Sequence, residues 1–425
     1  MFKQLFVPCG ICLAILTLNA QEELNRKADE VNQVIWSRFI GKDNIMYDYT
    51  GLKGEVVLPT PEECAADLPN ALGWWTPIEN GGFFNGMYLV AQCDRYERNK
   101  TPENREKVRR LVAGLYKLQD VGSTPGFIAR GVGSDGKCHY AASSNDQNFP
   151  WFLGLGRYLD TDIPTPEERQ ECIARLVRQG EALKKLNWKI PGDRPNFERG
   201  WWLGSEYTAC VHIATATRVL YETTGDAKWK KLHYELMRGR LPDGKERKVC
   251  IASGPMNMAG WSAWFLSNCQ YAVRILFLRE TDPELKKYYA ASLRNTARRA
   301  VSLIPYYKRF RPSPEQTGFT PDWHVMMPPF APQKNGTEAA ALALEQNKVW
   351  SKKSPAVAQE KVWLKPALCA AWIVVLSEET ELKRNAMPEI RRMILGLDGT
   401  RLYYATFFYL ENLVETLNKS DLQKI

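Results

Sequence analysis

Two kinds of helical pattern alternate along this chain. An apolar segment such as 149–159, with small and aromatic residues on every side, is followed by an amphipathic segment such as 168–186 with one charged face. Thr165, Pro166 and Glu168 form a typical helix start, because threonine and glutamate can cap each other's backbone and proline suits the first turn. No stretch shows the sustained period-two alternation of a β-sheet. The pattern therefore predicts an all-α fold.

The alternation also predicts an architecture. A helix that is apolar on all sides must be enclosed, whereas a helix with one charged face can lie outside it. About six inner–outer pairs can close into an (α/α)6 toroid, a ring of inner helices surrounded by outer helices. The irregular connections 121–145, 189–200, 238–260 and 306–337 each precede an inner helix or helical region. In a toroid such connections gather at one end, where we expect the cleft.

The N-terminal segment is typical of a secretory signal peptide. It has Lys3, an apolar run over 5–18 and the small residue Ala20. We therefore predict that residues 1–20 are removed and that 21–425 form a single exported domain, periplasmic or extracellular. With 425 residues, of which 44% are hydrophobic, the chain can bury a sizeable core. No later apolar run approaches the roughly 20 residues that a membrane span needs.

Charge and cysteine content narrow the class of partner. The net charge is +9, but the sequence has no run of lysine and arginine of the kind that binds nucleic acid. An exported basic chain of this kind favours an acidic oligosaccharide as its partner. The cysteines beyond residue 20 form no CxxC pair, so we predict no metal and no cofactor. Export permits a disulfide, but the spacing assigns none, and the sequence indicates no oligomeric state.

One connection concentrates chemically useful residues. The stretch Gly126–Tyr158 is rich in glycine and aromatic residues and carries Arg130, Asp135, His139 and Asp146 between two helical patterns. The plain interpretation is that one of the four residues ending at Asp146 caps the following helix, since all four are good caps. The functional interpretation is that the loop delivers Asp146 to a cleft.

Two segments carry a resemblance to a known superfamily. ENGGFFNGMYLVAQ opens the first inner helix, and GFIARGVGSDGKCHYAASSNDQ precedes the second. With the alternation of helices over most of the mature chain, they resemble the six-hairpin glycosidase-like superfamily, nearest to unsaturated glucuronyl and rhamnogalacturonyl hydrolases and related bacterial glucuronidase-like proteins. The resemblance implies breakdown of acidic polysaccharides, with an aspartate that protonates the vinyl ether of the terminal sugar and helps water add. Asp146 matches that aspartate by placement, but Asn145 stands where a paired aspartate is typical.

Carboxylate chemistry gives the same candidates without the resemblance. Glycoside cleavage needs a general acid and a second carboxyl that acts as base or nucleophile. Asp146 is the first choice for the acid, and Glu79 and Glu206 are the other catalytic candidates, with Asp322 as a further alternative. Each lies beside tryptophan, glycine or proline, just ahead of or within an inner helix or helical region. Each could instead be a helix cap or an ion-pair partner.

The substrate-binding candidates lie at the same loop-to-helix junctions. An indole can stack on a sugar face while its N–H stays available for a hydroxyl, and the planar guanidinium of Arg130 matches a carboxylate. The competing interpretations are a core position for about half of the tryptophans and a structural pairing of Arg130 with Asp135 or Asp146. The candidates are Trp74, Trp75, Arg130, His139, Gln147, Trp201, Trp202, Trp261 and His324.

The sequence therefore predicts an exported glycoside hydrolase acting on oligosaccharides from acidic, uronic-acid-containing polysaccharides. A sugar epimerase or isomerase on the same barrel, using some of the four histidines, is one alternative, and a non-catalytic glycan-binding protein is another. We expect Glu79, Asp146, Trp202 and Glu206 to line one pocket. Burial beside aromatic residues should raise the pKa of Asp146, and Arg130 should face the substrate rather than Asp146.

Overall fold

The fold is all-α. A computed structural model describes residues 10–312, 318–326 and 330–419, and within these ranges it contains no β-strand and only four isolated β-bridges. The α-helices are α1 Gly10–Val34, α2 Pro61–Ala65, α3 Gly81–Arg98, α4 Pro102–Asp120, α5 Asn145–Leu159, α6 Pro166–Lys185, α7 Tyr207–Thr224, α8 Ala227–Arg238, α9 Arg247–Ser253, α10 Ala263–Arg279, α11 Pro283–Ala300, α12 Gly336–Lys353, α13 Pro355–Gln359, α14 Lys365–Leu376, α15 Thr380–Leu395 and α16 Tyr409–Lys419. A π-helical turn, Ile35–Phe39, extends α1, and another, Glu360–Leu364, joins α13 to α14.

Six largely buried helices contact one another in a cyclic order. Helix α3 packs on α5, α5 on α7, α7 on α10, α10 on α14 and α14 on α16, and α16 returns to α3. The amphipathic helices contact this set in turn: α4 packs on α3 and α5, α6 on α5 and α7, α8 on α7, and α11 on α10 and α14. A cyclic order of contacts is what an (α/α)6 toroid requires, and the toroid itself stays a prediction.

The helix starts follow the local sequence closely. Thr165 Oγ1 accepts from the Glu168 amide at 3.2 Å while Glu168 Oε2 accepts from the Thr165 amide at 2.8 Å, which confirms the predicted capping box of α6. Helix α5 begins one residue earlier than predicted, with Ser144 at its N-cap, but no side chain caps it. Of the four residues predicted as possible caps, Ser144 takes the N-cap position without a side-chain hydrogen bond, and Asp146 is the second residue of the helix and not its cap.

Some features of the chain lie beyond the sequence prediction. Segment 238–260 was predicted as an irregular connection because it contains glycine and proline, but it includes the short helix α9. Residues 1–9 of the predicted signal peptide lie outside the described residues, and α1 runs across the predicted cleavage position, so the signal peptide stays a prediction. No helix in the described part of the chain has the length and apolar character needed to cross a lipid bilayer.

Helices α3 and α5 pack backbone to backbone through glycines. A Cβ added at Gly86 would lie 2.3 Å from the carbonyl oxygen of Pro150, and one at Gly154 would lie 2.6 Å from the Gly86 oxygen. Only glycine permits this approach, because real Cβ contacts are longer. The contact brings the N-terminal turns of both helices together, where a Cβ at Gly82 would lie 3.0 Å from Gln147 Oε1.

Substituting Gly86→Ala should lower the free energy of unfolding by about 1–3 kcal/mol, since the new methyl group must push the α5 backbone away. The measurement is guanidinium unfolding followed by far-UV circular dichroism. Gly260→Ala is the matched control, because a Cβ at Gly260 meets nothing closer than 3.5 Å. Equal stability of the two variants would contradict the backbone contact between α3 and α5.

Candidate functional site

Carboxylates and cations from distant parts of the chain meet near the first turns of α3, α5 and α14. The Arg130 guanidinium donates to the Glu79 carbonyl oxygen at 3.1 Å, and the charges of the set influence one another's pKa values. We call this set the charge cluster. Its members are Asp48, Glu79, Arg130, Asp146, Arg199, Lys361 and Lys365.

Asp146 is a carboxylate of the charge cluster that has a raised pKa. Burial raises its pKa, and the positive charges of Arg130 and Arg199 only partly offset that effect. Its side chain is partly exposed and makes no hydrogen bond or ion pair with any described residue. The expected rise in pKa is therefore confirmed, and the carboxyl group is free of a structural task.

Arg130 ties the loops together instead of facing outward. Its side chain is only 2% exposed and donates to the carbonyl oxygens of Ala142 at 3.2 Å, Glu79 at 3.1 Å and Ser143 at 3.5 Å. Burial, helped by the nearby charge of Arg199, lowers its pKa to about 10. As expected, it forms no direct ion pair with Asp146. The expectation that it faces the substrate is wrong, because the guanidinium is enclosed and three of its N–H groups are occupied.

Glu79 is held by a strained backbone. Its Oε2 accepts from the amide of Trp75 at 3.0 Å, and no described residue bonds to its Oε1. Trp75 has φ +74°, a conformation that a bulky residue adopts only when its surroundings enforce it. The Tyr49 hydroxyl donates to the Trp75 carbonyl oxygen at 2.7 Å and helps to enforce it. Such strain often accompanies a functional site.

Asp48 is a buried carboxyl that sequence reasoning missed. It accepts from the amide of Asn80 at 2.7 Å, from the Asn80 side chain at 2.6 Å and from the Tyr404 hydroxyl at 3.4 Å. Burial and then the charge of Glu79 raise its pKa well above the ordinary value. At 1% exposure it cannot touch a substrate, so it positions the start of α3 and Tyr404.

Arg199 and Trp74 form one side of the charge cluster. The guanidinium lies 5.3 Å from the Trp74 ring centre and has no hydrogen-bond partner among the described residues. Its loop packs closely on α5 at Gly200, which has φ +125° and where a Cβ would lie 2.0 Å from Asn145 Oδ1. The packing brings a cation beside Asp146. Arg199 was not predicted, because nothing local distinguishes it from other loop arginines.

Gln147 joins the starts of α3 and α5. Its Oε1 accepts from the Phe83 amide at 3.1 Å, while its Nε2 is buried without a partner among the described residues. The side chain itself is fully buried. Gln147 is thus a buried residue that connects the first turns of α3 and α5.

Glu206 and Trp261 lie together, but at a separate cavity. The cavity has a volume of about 890 Å³, and its lining also includes Met256 and Phe265. Trp261 is 73% exposed there. Ring contacts of 5.9 Å and 6.2 Å lead from Trp261 through Phe265 to Trp264, beside the charge cluster. The cavity is therefore a neighbour of the cluster and not the same pocket.

Trp202 and Trp201 both make contacts with other parts of the fold. Trp202 is fully buried, where it stacks on Trp188 and makes an edge-to-face contact with Phe152. The expectation that it lines a pocket is therefore wrong. Its position at the end of a loop had indicated a surface role, but the loop folds inward. Trp201 is 38% exposed, and its indole N–H donates to the Asn187 carbonyl oxygen at 3.0 Å.

Both candidate histidines have both ring nitrogens engaged. His139 contacts the Lys137 carbonyl oxygen at 2.9 Å and Asp193 at 3.0 Å. His324 contacts Asp322 at 2.6 Å and Glu63 at 2.5 Å. Burial works to lower the pKa of His324, but these two hydrogen bonds outweigh it and raise the pKa. The described hydrogen bonds of the two histidines therefore include no charge-cluster member, and Asp322 bonds to His324.

Two comparisons with known proteins were made. A scan against protein-family models and a search of curated proteins each gave no match. Within the described residues, no group of three or more histidine, cysteine, aspartate or glutamate side chains is arranged to hold a metal ion.

Proposed function

We propose that this chain is an exported glycoside hydrolase acting on oligosaccharides from acidic polysaccharides. The observation that carries the proposal is Asp146, a carboxyl with a raised pKa and no partner among the described residues. An ordinary aspartate, with a pKa of about 4, is ionised at neutral pH and cannot donate a proton to a leaving oxygen. Burial shifts the pKa of Asp146 upward, which is the direction that a general acid requires.

Glu79 supplies the second carboxyl. One of its oxygens is fixed by the Trp75 amide, and the other has no partner among the described residues. The negative charges of Glu79 and Asp146 both work to raise the pKa of Arg130. The hydrogen bonds of Arg130 hold the two loops together. A fixed carboxyl with one free oxygen is suited to orient water or to attack the sugar carbon.

The histidines support hydrolysis over a histidine-dependent epimerase. His139 and His324 are engaged outside the charge cluster, while burial lowers the pKa values of His212 and His233 to about 3. A buried histidine that stays neutral in this way cannot shuttle protons near pH 7. The proposal therefore relies on carboxylates for all proton transfers.

A uronide should be cleaved at least about 10-fold faster than its neutral counterpart, because one charge-assisted contact contributes that much. The measurement compares new reducing ends from a glucuronide-containing disaccharide and from the matching glucoside. Equal cleavage of both sugars would contradict the acidic preference. Binding of either sugar without any cleavage would favour the glycan-binding alternative.

A further inference from the structure

Lys365 is a lysine buried at the start of α14. Its side chain is only 6% exposed and makes no hydrogen bond or ion pair with any described residue. Its ammonium lies 4.6 Å from the Trp264 ring centre and 5.8 Å from that of Tyr404. Cation–π contacts replace only part of the lost hydration, so a buried ammonium without an ion pair is energetically unfavourable.

Lys361 adds a second cation one turn earlier. Its ammonium lies 4.6 Å from the Trp75 ring centre, 4.8 Å from that of Trp350 and 4.9 Å from that of Tyr404. The two lysines thus share the Tyr404 ring, although their like charges repel. No carboxylate among the described residues forms an ion pair with either lysine. The two ammonium groups are therefore held against aromatic rings and not in an ion pair.

The backbone holds this arrangement in place. The π-helical turn Glu360–Leu364 carries Lys361 and leads directly into Lys365. Glu360 is buried and accepts from the amides of Tyr403 at 3.0 Å and Tyr404 at 2.9 Å, which fixes the shared ring. π-Helical turns occur frequently at functional sites. The two cations are therefore built into the fold.

We propose that Lys361 and Lys365 bind the anionic group of the substrate, with the carboxylate of a uronic acid unit held beside the Tyr404 ring. The assignment rests on the proposed function in that the anion belongs to the sugar that is cleaved. The exposed parts of Trp75 and Trp264 flank the lysines and offer apolar faces to the sugar ring. Lys365 thereby replaces Arg130 as the anchor of the substrate carboxylate.

Titration of Lys365 agrees with this role. Burial and the charge of Lys361 lower its pKa to about 7, while Cys369, Glu79 and Asp48 work in the opposite direction. Because the pKa is lowered from its usual value, the ammonium loses its proton as the pH rises through about 7. A carboxylate ligand needs the charged form, so its affinity should fall above that pH.

Calorimetric titration with methyl glucuronide tests the subsite, with methyl glucoside and inorganic sulfate as comparison ligands. Lys365→Met should weaken glucuronide binding by about 10- to 100-fold and leave glucoside binding unchanged. Lys361→Met should have the same direction and guards against misfolding of the first variant. Lys365→Arg should retain binding without the loss above pH 7, and Lys348→Met, at an exposed ion pair with Glu345, is the matched control.

The outcomes separate the subsite from the proposed function. Glucuronide binding that depends on Lys365, without cleavage, would support the subsite and overturn the hydrolase. Unchanged glucuronide affinity in folded Lys365→Met and Lys361→Met would overturn the subsite, whether or not cleavage occurs. Sulfate that competes with glucuronide in the wild type but not in Lys365→Met would extend the subsite to sulfated sugars.

Discussion

Asp146→Asn should lower kcat on a uronide substrate by about 10²–10⁴-fold, the usual effect of losing a general acid. Asparagine keeps the size of the side chain but cannot deliver a proton. The fold should be unaffected, because Asp146 makes no hydrogen bond or ion pair with any described residue. Steady-state kinetics measure the loss, and a thermal melt checks that the variant is folded.

The control is the same substitution at an aspartate outside the charge cluster. Asp162 is exposed and forms an ion pair with Lys100 at 2.6 Å, so Asp162→Asn should keep nearly wild-type turnover. Near-normal turnover of a folded Asp146→Asn protein would reject Asp146 as the acid. The assignment would then pass to Glu79 or Glu206.

Glu79→Gln should cause a second loss of about 10²–10⁴-fold, because an amide can neither accept a proton from water nor attack the sugar. The structural task of the residue survives the change. The amide oxygen of glutamine can still accept from the Trp75 amide, which keeps Trp75 in its φ +74° conformation. Loss of activity with an unchanged melting temperature therefore reports chemistry and not misfolding.

Glu206→Gln is the matched comparison for Glu79→Gln. Glu206 is exposed beside the cavity of about 890 Å³, apart from the charge cluster, so its substitution should change KM more than kcat. A large fall in kcat for Glu206→Gln, with full activity of Glu79→Gln, would move the catalytic centre to that cavity.

The helices could be predicted because their signals are local. The capping box at Thr165 and Glu168, the apolar character of α14 and the glycine-rich start of α3 depend only on neighbours in sequence. The raised pKa of Asp146 was also accessible, because the aromatic residues that follow it indicated burial.

The charge cluster could not be predicted because it is assembled from distant segments. Asp48 and Arg199 stand in connections that give no sign of what they meet. Lys365 had one signal, a lysine directly before a proline at the start of an otherwise apolar helix. Only the cyclic packing of the helices brings that lysine within reach of Glu79.

The errors have a common physical cause. Trp202 and Arg130 were assigned to the surface because they stand at loop-to-helix junctions, but these loops fold inward and bury both side chains. Loop residues can therefore belong to the core when the helices they join are enclosed. Glu206 lies beside a cavity, as expected, but not beside the other carboxylates.

A crystal structure of Asp146→Asn with a bound uronyl disaccharide tests the central claim most directly. We expect the glycosidic oxygen within about 3 Å of the residue 146 side chain, Glu79 on the opposite side of the sugar carbon, and the carboxylate at Lys365. A disaccharide seated instead in the cavity beside Glu206 and Trp261, with nothing at residue 146, would contradict the charge cluster as the catalytic site.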